Sequence, residues 1–442
     1  MKKIIIFFVF LCNLINGQEK PVFTTTEWAY DKTIYEVNLR QFTPEGTIEA
    51  FIPYLDTLKD LGADLLWFMP IHPIGELNRK GSLGSYYSIR DFKDVDPFLG
   101  SKEDFKELVR IAHSKGMFVI IDWVANHSSW DNYLVNTNPE FYETDANGNF
   151  MPPVEDWSDV ISFNYDVPQM KDYMWGALEY WVKEFNIDGY RCDVAGMVPL
   201  DFWIEARKRL DQIKPVFMLA EWESPEMHLA FDMTYAWDFH HILNKFVKGE
   251  ATVTDFIKEF DKDFNEYPQE AIRMRFTSNH DENSWNGTEF ERLGDFAEIF
   301  AVFCAVTPGM NLIYSGQEAG NQKRLLFFDK DLIEWKENKM RGVYTTLNNL
   351  RKSEKALYAG NDKSTFNVIV KGEDYLLFER KKDESSVLCF FNFTNSEKVI
   401  SIQGLNLSGS FVDVFSGMGI QIDRLNEISL PALSYFILRK KG

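Results

Sequence analysis

Between Thr33 and about Ser315, short apolar runs alternate with longer stretches of helical period, a pattern that predicts repeated βα units around a parallel sheet. Eight runs read as strands: TIYEVNL (33–39), DLLWFMPI (64–71), MFVIIDWV (117–124), IDGYRCDV (187–194), VFMLAEW (216–222), LAFDMTY (229–235), IRMRFTS (272–278) and MNLIYSG (310–316). Several are apolar almost throughout, as strands buried on both faces are. Eight such units predict a closed (β/α)8 barrel with its site at the C-terminal ends of the strands.

Residues 102–115 place Phe105, Leu108, Val109 and Ala112 on one stripe and stop before Gly116, which predicts a barrel helix. The interval 127–165 is different. It is rich in Asn, Pro, Asp, Trp and Gly, lacks a helical period, and is expected to form a small excursion over the barrel mouth. Within it, Asn147-Gly148 predicts a tight hairpin rather than a metal loop. After about Ser353 the runs FNVIVKG, DYLLFERK, SSVLCFFNF and SYFILRK, separated by polar turns, predict an antiparallel β module.

Composition narrows the class of partner. With 47 Lys and Arg against 67 Asp and Glu, the formal charge of −20 disfavours nucleic acid and anionic lipid. Neutral sugars suit such a surface, and 38 Phe, 18 Tyr and 12 Trp supply flat rings for pyranose faces beyond those the core takes up. At the N-terminus, Lys2 and Lys3 precede an apolar run from Ile4 to Leu11 and a polar tail, which reads as an export signal over residues 1–17. That run is too short to span a bilayer, so no integral membrane span is expected. A periplasmic or secreted enzyme is expected, with lipid anchoring at Cys12 less favoured because bulky Leu11 precedes it. Cys192, Cys304 and Cys389 are odd in number and widely spaced, which supports neither a disulfide framework nor a zinc site.

The candidate chemistry lies in three carboxylates, each at the end of a separate strand: Asp193 in GYRCDV, Glu221 in VFMLAEWE and Asp281 in FTSNHDEN. Arg191 stands two residues before Asp193, so the strand period of two puts both on one face, where a guanidinium favours an ionised nucleophile. Glu221 lies among apolar neighbours, which favours a protonated general acid. Ends of adjacent strands hold facing side chains roughly 5 Å apart, the spacing of a retaining double displacement. Asp122 is expected as a buried partner of Arg191, His127 as a sugar donor or a rim histidine, and His113, His240 and His241 are given no role.

Four short motifs resemble those of the α-amylase family of glycoside hydrolases (family 13 type): DWVANH (122–127), GYRCDVAGM (189–197), LAEW (219–222) and TSNHD (277–281). GSYYSIRDFKDVDPFLGSKEDFKELV, FNYDVP and YSGQEAG look like the family's intervening stretches, so the likeness runs over nearly the whole mature chain. The resemblance implies Asp193 as nucleophile, Glu221 as acid/base and Asp281 as transition-state stabiliser. It implies Arg191, His127 and His280 as contacts at the cleavage subsite, with Tyr87, rather than Tyr86, as the ring stacked on the sugar. It also implies an α/β TIM barrel over 24–352, a small B domain at 128–165 inserted after strand 3, and a C-terminal antiparallel β-sandwich at 353–442. The implied activity is hydrolysis of α-1,4-glucosidic bonds in starch-like polysaccharide or maltooligosaccharides. Neopullulanase, cyclomaltodextrinase or transglycosidase action is the alternative within the class, and a non-catalytic glycan-binding protein the alternative outside it. Relatives with a structural calcium have Lys-His where this chain has Gly196-Met197, and use the Asn126 equivalent as a ligand. No cofactor is therefore expected, with calcium the less favoured alternative and no metal ligands assigned.

Overall fold

The computed structural model describes residues 26–360, 364–405 and 407–441; the export signal expected at 1–17 lies outside them. Eight parallel strands close into a barrel: β1 (Ile34–Val37), β2 (Leu65–Phe68), β3 (Phe118–Trp123), β4 (Gly189–Cys192), β5 (Phe217–Ala220), β6 (Met233–Tyr235), β7 (Ile272–Arg275) and β8 (Met310–Tyr314). All eight expected strands are present, and β8 returns to pair with β1. Inside the barrel Ile34, Leu65, Ile120, Phe217, Leu219, Met233, Met274 and Met310 pack together, which fills the floor and leaves chemistry to the mouth.

The sixth strand is shorter than the run 229–235 suggested. A 3-10 turn, Pro225–Leu229, ends on the first residue of that run, and Asp232 accepts hydrogen bonds from Thr26 and Met218 and pairs with Arg207 before the strand begins at Met233. That turn is the connection between β5 and β6, where the other units carry helices. The expected helix is Lys102–Ser114, started by a reciprocal cap between Ser101 and Asp104, with Phe105, Leu108, Val109 and Ala112 buried.

The excursion after β3 is a small B domain pinned by strands His127–Ser129 and Val160–Ser162, which pair antiparallel. Its Asn147-Gly148 turn is a hairpin as expected: Thr144 bridges Phe150, and Asp145 Oδ1 accepts the amides of Asn147 and Asn149. Past the last barrel helix, Lys339–Ser353, a six-stranded antiparallel sheet and a two-stranded sheet stack as a β-sandwich. Strand Ser385–Asn392 shows how period-two alternation builds it. Val387, Cys389 and Phe391 face the barrel helices, while Leu388 and Phe390 face the second sheet. Cys192, Cys304 and Cys389 are free and buried.

Candidate active site

The fourth and fifth strands approach closely at their start, because a Cβ at Gly189 would overlap the backbone of Phe217. From there the pair runs to the mouth, where Arg191 aligns with Asp122 of β3 and with Leu219 of β5. Arg191 is fully buried and serves three carboxyl groups at once. Its Nη1 donates to Asp122 Oδ1 at 2.9 Å and to Asp193 Oδ1 at 3.1 Å, and its Nη2 lies 2.6 Å from Glu221 Oε1. The expected Asp122–Arg191 pair is thus present. Trp67, Tyr87 and Tyr235 surround the guanidinium within 6 Å, which keeps water out and the cation fixed.

Immediately after Asp193, Val194 adopts φ 37° and ψ 47°, a left-handed conformation that a β-branched residue enters only under strain. The strained turn aims the Val194 N–H at Glu221 Oε2, 2.8 Å away. Nucleophile and acid candidates are therefore fixed to each other by one side chain and one backbone amide.

Two electrostatic expectations need correction. Burial, and then the Glu221 carboxylate, push Asp193 well above the ordinary carboxylate range, because Arg191 divides its charge among three acids and does not hold Asp193 ionised by itself. Glu221 does not sit in the apolar surroundings that its neighbours in sequence suggested, since both its oxygens meet polar groups that lie far away along the chain. Asp122 is raised to about 6 by burial against the pull of Arg191.

His280 and Asp281 follow β7. Burial opposes charge on His280, but Asp281 and Glu36 outweigh it and raise the imidazole to about 9. As imidazolium it donates through Nδ1 to Glu36 Oε1 at 2.5 Å and through Nε2 to the Tyr87 hydroxyl at 2.7 Å. Tyr87 in turn donates to Asp122 Oδ2 at 3.2 Å. Asp281 Oδ2 lies 3.2 Å from His280 Nε2 and is the most open of the three acids. His127 is buried and pushed down to about 3, hence neutral, with its ring edge-on to Trp157 at 5.6 Å.

One cleft of about 630 Å³ is lined by Tyr87, His127, Asp193, Glu221, His280 and Asp281 together. Arg191 lies beneath it, so every candidate from the sequence gathers at one place. Tyr86 does not; it faces Arg40 and Asn38 outside the cleft. Sequence reasoning missed Lys80, Asp159, Trp157, Trp285, Phe327 and Phe328, which also line the cleft. Lys80 ties the loop after β2 to the B domain through Asp159 at 3.1 Å, and Phe327 stacks near Tyr87.

Among the described residues no group of three or more acidic, histidine or cysteine ligands gathers at Asn126. Its amide meets His127 Nδ1, and among the described residues the three acidic oxygens that lie within 4.8 Å of one another belong to Glu223, Asp238 and Glu259. There Lys262 and Arg273 already supply cations.

A barrel mouth holding paired carboxyl groups over one guanidinium, ringed by aromatic side chains, defines a glycosidase. Residues 18–151 and 154–366 match the model of the alpha-amylase catalytic domain, and the chain belongs to this family of glycoside hydrolases. It is similar in structure to the maltogenic alpha-amylase AmyB of Thermotoga neapolitana, with 31% identity and a TM-score of 0.85 over 93% of this chain and 99% of that one. In sequence it is 28% identical to alpha-amylase 2 of Dictyoglomus thermophilum, over 88% of this chain and 73% of that protein. It is 26% identical to a cyclomaltodextrinase of a Bacillus species, over 84% and 74%.

Proposed function

We propose that the chain is an exported retaining hydrolase of α-1,4-glucosidic bonds in starch-like polysaccharide or maltooligosaccharides. The observation that carries this is the single guanidinium of Arg191 joining Asp193 and Glu221. Two carboxyl groups held on one guanidinium fit the spacing of about 5 Å that brings a nucleophile within reach of the sugar, with no room for an intervening water. Glu221 protonates the leaving oxygen and Asp193 forms a glycosyl ester. Water activated by Glu221 then releases the sugar. Asp281, with the imidazolium of His280 behind it, stabilises positive charge developing on the ring. Tyr87 stacks on the same sugar and His127, neutral, offers it a hydrogen bond. Export rests on the leader read at residues 1–17.

The same residues need no metal, so turnover in excess EDTA is expected to equal that in added calcium. Products from maltooligosaccharides, starch, pullulan and cyclodextrins test the reading: maltooligosaccharides released with retained α-configuration support it, and failure to cleave any α-glucoside overturns it. Ring opening of cyclodextrins would favour the second reading, a cyclomaltodextrinase, to which the similarity with the Bacillus protein points.

A further inference from the structure

A second cavity, of about 400 Å³, lies at the seam where the β-sandwich meets the barrel, and it shares no lining residue with the cleft. Three guanidinium groups line it: Arg273 and Arg275 from β7, and Arg380 from the sandwich strand Tyr375–Lys382. One carboxylate faces them there, Asp263 of helix Val253–Glu266, and it is already shared. Its Oδ1 accepts from Arg273 Nε at 2.9 Å and its Oδ2 from Arg275 Nη2. Arg273 has a second acid in Glu223, so that cation is balanced.

Arg380 is not. Among the described residues its hydrogen bonds go to neutral oxygens, Val306 O at 3.1 Å and Ser364 Oγ at 3.0 Å. Two donors are left over, Arg275 Nη1 and Arg380 Nε, on side chains that are 0% and 2% exposed. A guanidinium keeps its charge, and a buried charge without a partner is strongly destabilising. Burial, then the neighbouring cations Arg351 and Arg275, push Arg380 down to about 9, the direction in which a missing counter-charge acts. In a chain of formal charge −20, a buried cluster so short of acid draws its anion from outside.

The donors narrow the class of that anion. Planar forks of N–H groups match the paired oxygens of a tetrahedral oxyanion, a geometry that a spherical halide does not offer. We propose that the seam cavity binds a small inorganic oxyanion of the phosphate or sulfate kind, which bridges Arg275 of the barrel and Arg380 of the sandwich and fastens the two together. The site stands whatever bond the cleft hydrolyses.

Equilibrium dialysis of the full chain against labelled inorganic phosphate tests it. One phosphate per chain is expected, displaced by sulfate but not by chloride at equal ionic strength. Saturating phosphate should raise the melting temperature by about 1–3 °C over chloride. Arg380→Met should weaken phosphate binding about tenfold or more, with kcat unchanged. Ser364→Asp sets a carboxylate beside Arg380 Nη2. It should abolish phosphate binding and raise the melting temperature in chloride, which tests the site even where the Met variant does not fold. Absence of saturable binding to the wild type, equal displacement by chloride, or unaltered binding to a folded variant overturns the site.

Discussion

Buried arginines serve two regions of this molecule, the barrel mouth and the seam with the β-sandwich, and they are balanced in opposite ways. At the mouth, one guanidinium, Arg191, faces Asp122, Asp193 and Glu221, so acids outnumber the cation. At the seam between barrel and β-sandwich, guanidinium groups gather around the end of helix Ala297–Val306 and meet mostly carbonyls. Arg351 donates to Ala305 O at 2.9 Å and to Leu357 O at 2.5 Å, Arg380 to Val306 O at 3.1 Å, and Arg275 to Pro308 O at 2.9 Å. The seam arginines cap carbonyls at and just past the negative dipole end of an apolar helix, a structural task. The excess of carboxyl groups at the mouth leaves a proton to be shared and a charge to be developed. Burial is common to both regions, and the balance of partners separates chemistry from scaffolding.

Four changes would break or sharpen that contrast. The largest effect is expected at the mouth: Asp193→Asn or Glu221→Gln should cut turnover by on the order of 10³ or more while the melting temperature holds or rises. Turnover near the wild-type rate would refute the assigned roles. Arg191→Met strands three carboxyl groups at once. It should lower both kcat/KM and stability, the latter by about 3–5 kcal/mol in chemical denaturation.

His280 supplies the pH dependence. Its folded-state value of about 9 lies above the usual 6.5, so its stabilising contribution is full below pH 6.5 and is lost as pH rises through 9. Unfolding free energies from urea titrations should be lower at pH 9.5 than at pH 6.5 by at most on the order of 3 kcal/mol from this group, and His280→Gln should flatten the difference. The smallest effect belongs to the seam. Arg380→Met uncaps the Val306 carbonyl and should cost about 1–3 kcal/mol of stability with kcat unchanged. A fall in kcat there would mean that the two arginine sets are coupled.

The barrel was legible because strands buried on both faces must be apolar throughout, a constraint written into each run locally. The catalytic acids were legible for a related reason: a carboxylate just past such a run has the mouth as its surroundings. Glu221 marks where local reading stops. Its neighbours in sequence are apolar, but its partners, Arg191 and Val194, arrive from 30 and 27 residues away along another strand. Lys80, Trp157, Phe327 and Phe328 were illegible for the same reason, since irregular loops take their places from contacts that only the closed barrel creates. Residue 232 shows the converse, an acid inside an apolar run that shortened a strand because Arg207 and two donors from elsewhere claimed it.

Strand Ser385–Asn392, apolar on both faces, bears on the order of synthesis. All eight barrel strands have been synthesised by Tyr314, yet helix Ala297–Val306 waits for Phe378, Phe391 and Phe393 to cover Phe300 and Phe303. A nascent chain stopped short of those residues would present a greasy helix with nothing to bury it, open to any equally apolar surface nearby. The enzyme thus becomes safe from aggregation only once its non-catalytic tail has been made as far as Phe393.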